Sequence, residues 1–161
     1  MPEPLFNKIP NKTITAYDLF GKKHKRSLKN FKFRASAYGI LKKGNKILLQ
    51  RHPLLNEFSL PGGGIEINET IQEGLIREYL EETGIRIKPI KLISVEDSFF
   101  THNGKDAHGI LIFYEVEKID GKLSINDEDS AEVKYIALEQ LAKENIQRVF
   151  WNIIGSLKKD F

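Results

Sequence analysis

The chain has 161 residues, a length that suits one domain with its own hydrophobic core rather than two. Its 40% of hydrophobic and 29% of charged residues are typical of a globular protein, and the sequence contains neither a signal-peptide pattern nor an apolar run long enough to span a membrane. The absence of cysteine excludes disulfides, thiolate nucleophiles and cysteine-bound zinc. Together with the absence of a signal peptide and of a membrane span, it leads us to expect a cytoplasmic protein with no membrane partner.

The net charge of +3 is unevenly distributed along the chain. Residues 22–34 contain seven basic residues and no acidic one, which leaves the rest of the chain with a net charge of −4. Such a block either attracts phosphate-rich ligands, including nucleic acid, or forms a solvated surface. The sequence leaves both interpretations open.

Residues 1–30 are predicted to form a partly ordered N-terminal extension, basic toward its end, with a short strand around residues 13–20. The remaining residues, 31–161, are predicted to form a single domain. Its first elements are a strand over residues 33–41 and a partner strand over residues 46–50, joined by a turn that contains Gly-Asn.

A glycine-rich segment then leads into a predicted helix. Residues 61–64 have the sequence Pro-Gly-Gly-Gly and predict an irregular loop, because proline and consecutive glycines disfavour regular structure. Asn68 and Thr70 are candidate N-caps. The helix is expected to run to about Thr83, since Gly84 is a good terminator.

Three carboxylates of this helix share one face. Glu78, Glu81 and Glu82 are spaced i, i+3 and i+4, a spacing at which like charges repel and weaken an isolated helix. Clustered oxygens suit a hard divalent cation, so the pattern predicts a site for Mg²⁺, with Mn²⁺ as a substitute. Gly74 lies one turn before Glu78 and predicts the close approach of another segment, because glycine otherwise weakens a helix interior.

The rest of the chain alternates predicted strands and helices. The strands cover residues 87–95, 109–116 and 133–137, with a polar loop over residues 97–106, a short helix over residues 138–143 and an amphipathic helix over residues 145–158. Hairpins combined with one central and one C-terminal helix predict the α/β class, as an α/β/α sandwich around a mixed β-sheet.

The stretch from Gly63 to Ile85 resembles the Nudix box, G-x5-E-x7-R-E-U-x-E-E-x-G-U, in which U is a bulky aliphatic residue. Every invariant position matches, and Ile85 fits the last U, whereas Tyr79 stands where an aliphatic residue is expected. This departure bears on local packing rather than on metal binding. The resemblance implies the Nudix fold and a Mg²⁺-dependent hydrolase that cleaves the pyrophosphate linkage of a nucleoside diphosphate joined to another moiety.

The resemblance also implies roles for the residues of this segment. The implied metal ligands are Glu78, Glu82 and the backbone carbonyl of Gly62. Glu81 is either a ligand or the base that deprotonates the attacking water, and the sequence leaves these alternatives open. Glu69 and Arg77 are implied to support the site by orienting the neighbouring carboxylates.

Further candidates lie outside the box. Arg51 follows a predicted strand at a position where many Nudix proteins carry an arginine that contacts substrate phosphate, and a guanidinium suits this role because it binds phosphate oxygens in pairs. The alternative is an ordinary surface arginine at the end of a strand. Nudix enzymes often recruit one more acidic metal ligand from a loop after the box, and Glu132, in an acidic segment with residues 127–129, is the candidate here, with a solvated acidic turn as the alternative. Phe99 and Phe100 are candidates for stacking on a base, with burial in the core as the alternative.

Motifs that distinguish Nudix subfamilies leave the substrate unassigned. ADP-ribose pyrophosphatases tend to carry a proline about sixteen residues beyond the box, where this chain has Thr101. The default expectation is a nucleoside triphosphate or another small nucleotide derivative, bound by a monomer or a homodimer. The alternatives are a pyrophosphohydrolase of RNA 5′ ends, which the basic block would suit, and a catalytically silent Nudix-like binding or regulatory module.

Overall fold

The computed structural model describes residues 10–125 and 131–159. The strands in these ranges are β1 (Thr13–Tyr17), β2 (Lys23–Ser27), β3 (Phe31–Lys43), β4 (Lys46–Arg51), β5 (Phe58–Ser59), β6 (Gly62–Gly64), β7 (Ile85–His102), β8 (Lys105–Gly121) and β9 (Glu132–Ala137). The α-helices are α1 (Ile71–Thr83) and α2 (Trp151–Lys159), and short 3₁₀ turns cover Leu28–Asn30, Leu138–Gln140, Lys143–Asn145 and Arg148–Phe150. No helix in the described ranges is both long and apolar enough to cross a membrane.

The strands form a mixed sheet. Their order is β2-β1-β7-β8-β3-β4-β5, with β6 paired to β3 and β9 paired to β4. β3 runs parallel to β8 from Phe31 to Leu41, and β1 meets β7 in a parallel bridge between Tyr17 and Phe100. The other neighbouring strands are antiparallel.

The sheet opens between β3 and β4. Among the described residues, these two strands pair only next to their turn, where Lys42 is the partner of Ile47 and Lys43 is the partner of Lys46. Farther from the turn, β3 pairs with β6 over residues 36–38 and β4 pairs with β5, while β9 pairs with β4 along the whole length of β4. The two strands therefore diverge, and the glycine backbone of β6 takes the place beside β3 that β4 leaves.

Two hydrophobic clusters occupy opposite faces of the sheet. Leu111 and Phe113 of β8 belong to one cluster, and Ile112 between them belongs to the other. Because successive side chains of a strand point to opposite faces, the two clusters lie on opposite sides. Helix α2 contributes Ile153, Ile154 and Leu157 to the first cluster, and α1 contributes Leu75 and Tyr79 to the second. This arrangement confirms the predicted α/β/α sandwich around a mixed sheet.

Helix α1 begins and ends at its capping residues. The hydroxyl of Thr70 accepts a hydrogen bond from the backbone N–H of Glu73, whose carboxylate in turn accepts one from the backbone N–H of Thr70. This reciprocal pair is a capping box. Gly84 adopts the left-handed conformation, with φ of 72°, and ends the helix. The prediction of a helix that ends at Thr83 is confirmed.

Two glycines make room for the packing of α1. Tyr79, the residue that departs from the Nudix-box pattern, is fully buried, and a Cβ atom at Gly39 of β3 would lie 2.6 Å from its ring atom Cε2. The missing side chain at Gly39 thus accommodates the larger ring. A Cβ atom at Gly74 would lie 3.0 Å from a carboxylate oxygen of Glu69 and 3.3 Å from Cγ1 of Ile65. The predicted close approach of another segment at Gly74 is therefore confirmed.

The glycine run differs from its prediction. Residues 62–64, predicted to be an irregular loop, form β6, because pairing with β3 uses backbone groups and needs no side chains. Gly62 has φ of 133°, and a Cβ atom there would lie 2.2 Å from the carbonyl oxygen of Ala37. Glycine is thus required at this position of the strand.

The predicted loop over residues 97–106 is also wrong, since this segment is the end of the long hairpin formed by β7 and β8. Asn103 and Gly104 both have positive φ, 48° and 73°. This is the backbone conformation of the two-residue hairpin turn that Asn-Gly favours. The Asn-Gly pair indicates the turn, whereas the polar residues on both sides of it favour a loop in place of the two strand ends.

Both ends of the described chain differ from the prediction as well. Residues 13–27 form a β1–β2 hairpin that joins the sheet through β7, rather than an extension with one strand. Helix α2 begins at Trp151 instead of residue 145. The reason is that Ile146 forms a bridge with Phe58, and the N–H of Gln147 donates to the carbonyl of Phe58 at 2.9 Å, which keeps this backbone extended.

Candidate active site

The carboxylate of Glu78 lies against the glycine strand β6. A Cβ atom at Gly63 would lie 2.7 Å from Oε2 of Glu78, so the carboxylate rests directly on the backbone of β6. Only glycine permits such an approach without displacement. The side chain of Glu78 is 21% exposed at this position.

Glu82 is bound to the same strand, one helical turn later. The residue is 8% exposed, and its Oε2 accepts a hydrogen bond from the N–H of Gly62 at 2.7 Å. A hydrogen bond of this kind stabilises a carboxylate that has lost contact with water. Gly62 thus contacts the site through its N–H, and the role of its carbonyl as a metal ligand stays a prediction.

Arg77 connects the segment before α1 to the carboxylate face of the helix. Its Nε and Nη2 donate to both carboxylate oxygens of Glu69, at 2.5 and 2.9 Å. Nη1 donates to Glu78 at 2.9 Å and to Glu81 at 3.3 Å, and Nη2 also donates to the carbonyl of Gly64 at 3.1 Å. The structure therefore places one guanidinium in contact with three of the glutamates that the sequence singled out.

The carboxylates of this cluster differ in their protonation behaviour. Hydrogen bonds from Arg77 lower the pKa of Glu69 to about 2, which keeps this carboxylate ionised. Burial raises the pKa of Glu78 above its ordinary value, although Arg77 acts in the opposite direction. Burial also raises the pKa of Tyr38, which faces the same region, to about 12.

The donor set fits a hard divalent cation. Glu69, Glu78 and Glu81 share the single positive charge of Arg77, and Glu82 adds a fourth carboxylate, which leaves an excess of negative charge. Carboxylate oxygens are the ligands that Mg²⁺ and Mn²⁺ prefer. Across residues 10–125 and 131–159, no three Asp, Glu or His side chains converge closely enough to surround an ion as they stand.

A cleft of about 610 Å³ opens beside Glu82. Its volume is that of a small-molecule site. The cleft is formed by the β1–β2 turn, by β3 and β4, by the end of β7 and by the segment before α2. The lining residues that bear on function are Phe20, Arg34, Tyr38, Glu82, Phe100 and Arg148.

Alternation along β7 separates the two candidate stacking residues. Phe100 lines the cleft. The ring of Phe99 stacks on His108 at a centroid distance of 4.2 Å and meets Phe31 edge-on at 5.6 Å. Because neighbouring residues of a strand face opposite sides, the structure places Phe100 at the cleft and Phe99 away from it.

Arg51 and Glu132 contact each other rather than the cleft. They are partners in the pairing of β4 and β9, and Nε of Arg51 donates to Oε2 of Glu132 at 3.1 Å. Nη1 of Arg51 donates to the carbonyl of Leu55, and Glu132 also pairs with Lys134 at 2.6 Å. Neither residue lines the cleft, so the structure does not bring them to the site that the sequence predicted for them. Residues 127–129, the other acidic candidates, lie outside the described residues.

Arg34 is a cleft residue that the sequence did not single out as part of the site. A Cβ atom at Gly64 would lie 2.8 Å from its Nη2, so the guanidinium lies over β6, and its charge acts on the carboxylate of Glu78. The spacing of Arg34, Ser36 and Tyr38, two residues apart along the predicted strand, places them on one face of it, and the structure shows all three lining the cleft. This alternation is the pattern in the sequence that points to Arg34. Phe20 has no comparable local signal, since its wall of the cleft forms through tertiary contacts.

Comparison with known proteins identifies relatives of the chain. The family model described as NUDIX domain matches residues 31–154. The ADP-ribose pyrophosphatase of Methanocaldococcus jannaschii is 35% identical over 143 residues, which cover 81% of this chain and 83% of that protein. The putative mutator protein MutT4 of Mycobacterium tuberculosis is 36% identical over 84 residues, which cover 52% of this chain and 34% of that protein. The crystal structure of a MutT protein from Bacillus halodurans has a TM-score of 0.66 at 22% identity, covers 77% of this chain and 82% of that one, and supports the fold.

Proposed function

The chain belongs to the Nudix hydrolase family and is a pyrophosphohydrolase, and we propose that it cleaves a nucleoside diphosphate derivative in a Mg²⁺-dependent reaction. The observation that carries this proposal is the position of Glu82. Its buried carboxylate is bound to the N–H of Gly62, lies one helical turn from Glu78 and lines an open cleft. A desolvated anion at the wall of a cleft suits the binding of a cation together with a phosphate-containing ligand.

The reaction requires a water molecule and a stabilised diphosphate. The water oxygen forms a bond to one phosphorus atom, the bridging oxygen leaves with the other phosphate, and one proton is released. When bound, Mg²⁺ lowers the pKa of water and offsets the charge on phosphoryl oxygens. We assign its binding to Glu78, Glu82 and the carbonyl of Gly62. Glu81, whose side chain is 56% exposed, is accessible either as a further ligand or as the base that takes the proton.

Arg77 and Glu69 support these carboxylates without contacting the substrate. Arg77 donates to Glu78 and Glu81, and Glu69 holds Arg77 through two hydrogen bonds. Residues that orient metal-binding side chains affect metal affinity and activity through those side chains. We therefore assign Arg77 and Glu69 as positioning residues.

ADP-ribose is the first substrate to test. The relative from Methanocaldococcus jannaschii that matches most of this chain is named for this substrate. Hydrolysis of ADP-ribose at the pyrophosphate gives AMP and ribose 5-phosphate. Arg34 lines the cleft, and its charge acts on the carboxylate of Glu78, so it supplies positive charge for the diphosphate.

Thr101 bears on this choice. It occupies the position where ADP-ribose pyrophosphatases tend to carry proline, and it lines the cleft. Position 101 thus lies at the wall of the cleft, and the departure from proline makes other nucleotide derivatives necessary members of the test.

A substrate screen tests the proposal. The full-length protein is incubated with ADP-ribose, nucleoside triphosphates, nucleotide sugars, dinucleoside polyphosphates and 5′-triphosphate RNA, each with and without Mg²⁺, and the products are identified by chromatography. We expect Mg²⁺-dependent release of a nucleoside monophosphate from ADP-ribose or from another small nucleotide. Hydrolysis confined to RNA would favour the RNA 5′-end alternative, and the absence of hydrolysis across the panel would overturn the proposal.

A further inference from the structure

The β1–β2 hairpin precedes the part of the chain that matches the NUDIX family model, yet it forms one wall of the cleft. Tyr17, at the end of β1, pairs with Phe100 of β7 and joins the hairpin to the sheet. The four residues that follow Tyr17, from Asp18 to Gly21, all line the cleft. A segment that precedes the family-model match therefore contributes to the lining of the cleft.

Asp18 holds this turn in one conformation. Its Oδ1 accepts hydrogen bonds from the N–H groups of Phe20 and Lys22, at 3.0 and 2.9 Å, and its Oδ2 contacts Nε2 of His24 at 2.8 Å. Gly21 has φ of 75°, and its N–H donates to the carbonyl of Asp18 at 3.0 Å. The position of Phe20 at the cleft is therefore set by a hydrogen-bonded turn.

Arg148 connects the hairpin to the segment before α2. Its guanidinium carbon lies 3.6 Å from the centroid of the Tyr17 ring, within the range of a cation–π interaction. Arg148 lines the cleft as well. The contact joins two walls of the cleft that are distant in sequence, and it covers one face of the Tyr17 ring.

Phe20 presents an exposed aromatic ring on this wall. It is 68% exposed, which is unfavourable for an apolar side chain, and the fixed turn keeps it there. Phe33 is also exposed, at 80%, but its ring packs on His108 at 5.0 Å and does not line the cleft. The two residues share side-chain type and exposure, and they differ in their relation to the cleft.

We propose that Phe20 is a specificity-determining residue that stacks on the nucleobase of the substrate, an inference that rests on the proposed function. An aromatic ring fixed at the wall of a cleft binds the flat face of any base, so Phe20 distinguishes ligands that carry a base from those that do not, rather than one base from another. Arg34 lines the cleft with its guanidinium over β6, and its positive charge, which acts on the carboxylate of Glu78, suits a bound diphosphate. In this arrangement the hairpin binds the base, and residues within the family-model match bind the diphosphate.

The test compares the binding of AMP and ribose 5-phosphate to the full-length protein by calorimetry. Both are monophosphates, and AMP alone carries a base. The variants are Phe20→Ala, Phe20→Trp and the matched control Phe33→Ala. We expect Phe20→Ala to weaken the binding of AMP by about 10-fold, since stacking on one aromatic ring has an effect of this size. The affinity for ribose 5-phosphate should stay unchanged. Phe20→Trp and Phe33→Ala are expected to keep the wild-type preference for AMP.

Two results would overturn the inference. One is a wild-type affinity of Phe20→Ala for both AMP and ribose 5-phosphate, and the other is an equal loss for both ligands, which would indicate a structural defect. The substrate screen separates this failure from that of the proposed function. An unchanged ratio in an enzyme that hydrolyses a nucleotide derivative refutes the stacking role alone, whereas inactivity on the whole panel refutes the proposed function.

Discussion

Arg77 and Glu69 form a two-point ion pair, in which Nε and Nη2 donate to both carboxylate oxygens at 2.5 and 2.9 Å. Glu69 precedes α1, and the same guanidinium donates to Glu78 and Glu81 on the helix. One side chain thereby fixes the carboxylate face of α1 to the segment before it. These contacts support the proposal that Arg77 is a positioning residue, which acts through the other carboxylates.

Arg77→Lys removes the planar fork and keeps the positive charge. We expect kcat to fall about 10- to 100-fold and the Mg²⁺ requirement to rise, because residues that support metal ligands have effects of this size. Steady-state kinetics over a range of Mg²⁺ concentrations measures both. The control Arg86→Lys changes an exposed arginine of β7 that pairs with Asp120 and should leave the kinetics unchanged. Wild-type kcat together with a wild-type Mg²⁺ requirement in Arg77→Lys would argue against a positioning role.

The ion pair also predicts a pH dependence of stability. The pKa of Glu69 is about 2 in the folded protein, against an ordinary value of 4.5. A carboxylate whose pKa is lower in the folded state stabilises the fold above its ordinary pKa, and this contribution is lost as the pH falls through the folded pKa. We expect Glu69→Gln to lower the free energy of unfolding at neutral pH.

The difference between Glu69→Gln and the wild type should shrink as the pH falls from 4.5 to about 2. Urea denaturation followed by circular dichroism across this range measures it. A difference that stays constant throughout would mean that the stabilisation does not depend on the ionised carboxylate.

Gly39 and Tyr79 are expected to be energetically coupled. A Cβ atom at Gly39 would lie 2.6 Å from Cε2 of Tyr79, so Gly39→Ala should destabilise the protein by about 1–3 kcal/mol through overpacking. Combining it with Tyr79→Leu should recover part of this loss, because leucine leaves the space that the ring fills. Thermal denaturation of the two single variants and the double variant gives the coupling energy.

Gly155→Ala is the control for Gly39→Ala. A Cβ atom at Gly155 in α2 would meet no atom within 4 Å, so alanine there should be neutral or stabilise the helix by up to about 1 kcal/mol. Strictly additive effects of Gly39→Ala and Tyr79→Leu would show that the glycine is not required by the ring.

Arg34 and Arg51 are expected to differ in their effect on substrate binding. Arg34 lines the cleft, whereas Arg51 pairs with Glu132 and with the carbonyl of Leu55. Arg34→Ala should therefore raise KM about 10-fold or more, because a charge-assisted hydrogen bond to phosphate contributes roughly 1.5–3 kcal/mol. Arg51→Ala should leave KM unchanged. A raised KM in Arg51→Ala with a normal KM in Arg34→Ala would restore the role that the sequence suggested for Arg51.

Local relationships in the sequence were sufficient to predict α1 and its carboxylate face. Thr70 and Glu73 lie three residues apart and form the capping box at the start of the helix, and Gly84 ends it. Neither feature depends on the rest of the fold. The spacing of Glu78 and Glu82 places them on one face of any helix. These features depend on contacts within one or two turns, which a sequence pattern records directly.

The cleft could not be predicted in the same way, because its parts meet through tertiary structure. Arg51 finds Glu132 only once β4 and β9 pair in register. Alternation separates Phe99 from Phe100, but the sheet decides which of them faces the cleft. The hairpin that carries Phe20 reaches the cleft through its pairing with β7, a long-range contact with no local signal.

The most direct test of the account is the hydrolysis of ADP-ribose by the wild type, Glu82→Gln and Glu73→Gln as a function of Mg²⁺ concentration. Glutamine at position 82 can still accept the hydrogen bond from Gly62, so the fold should be retained, and glutamine at position 73 preserves the capping box. We predict Mg²⁺-dependent release of AMP by the wild type and Glu73→Gln, and a loss of at least about 100-fold in kcat/KM for folded Glu82→Gln. Full activity of Glu82→Gln, or undiminished AMP release after removal of divalent ions, would contradict the assignment of the carboxylate cluster as the metal-dependent active site.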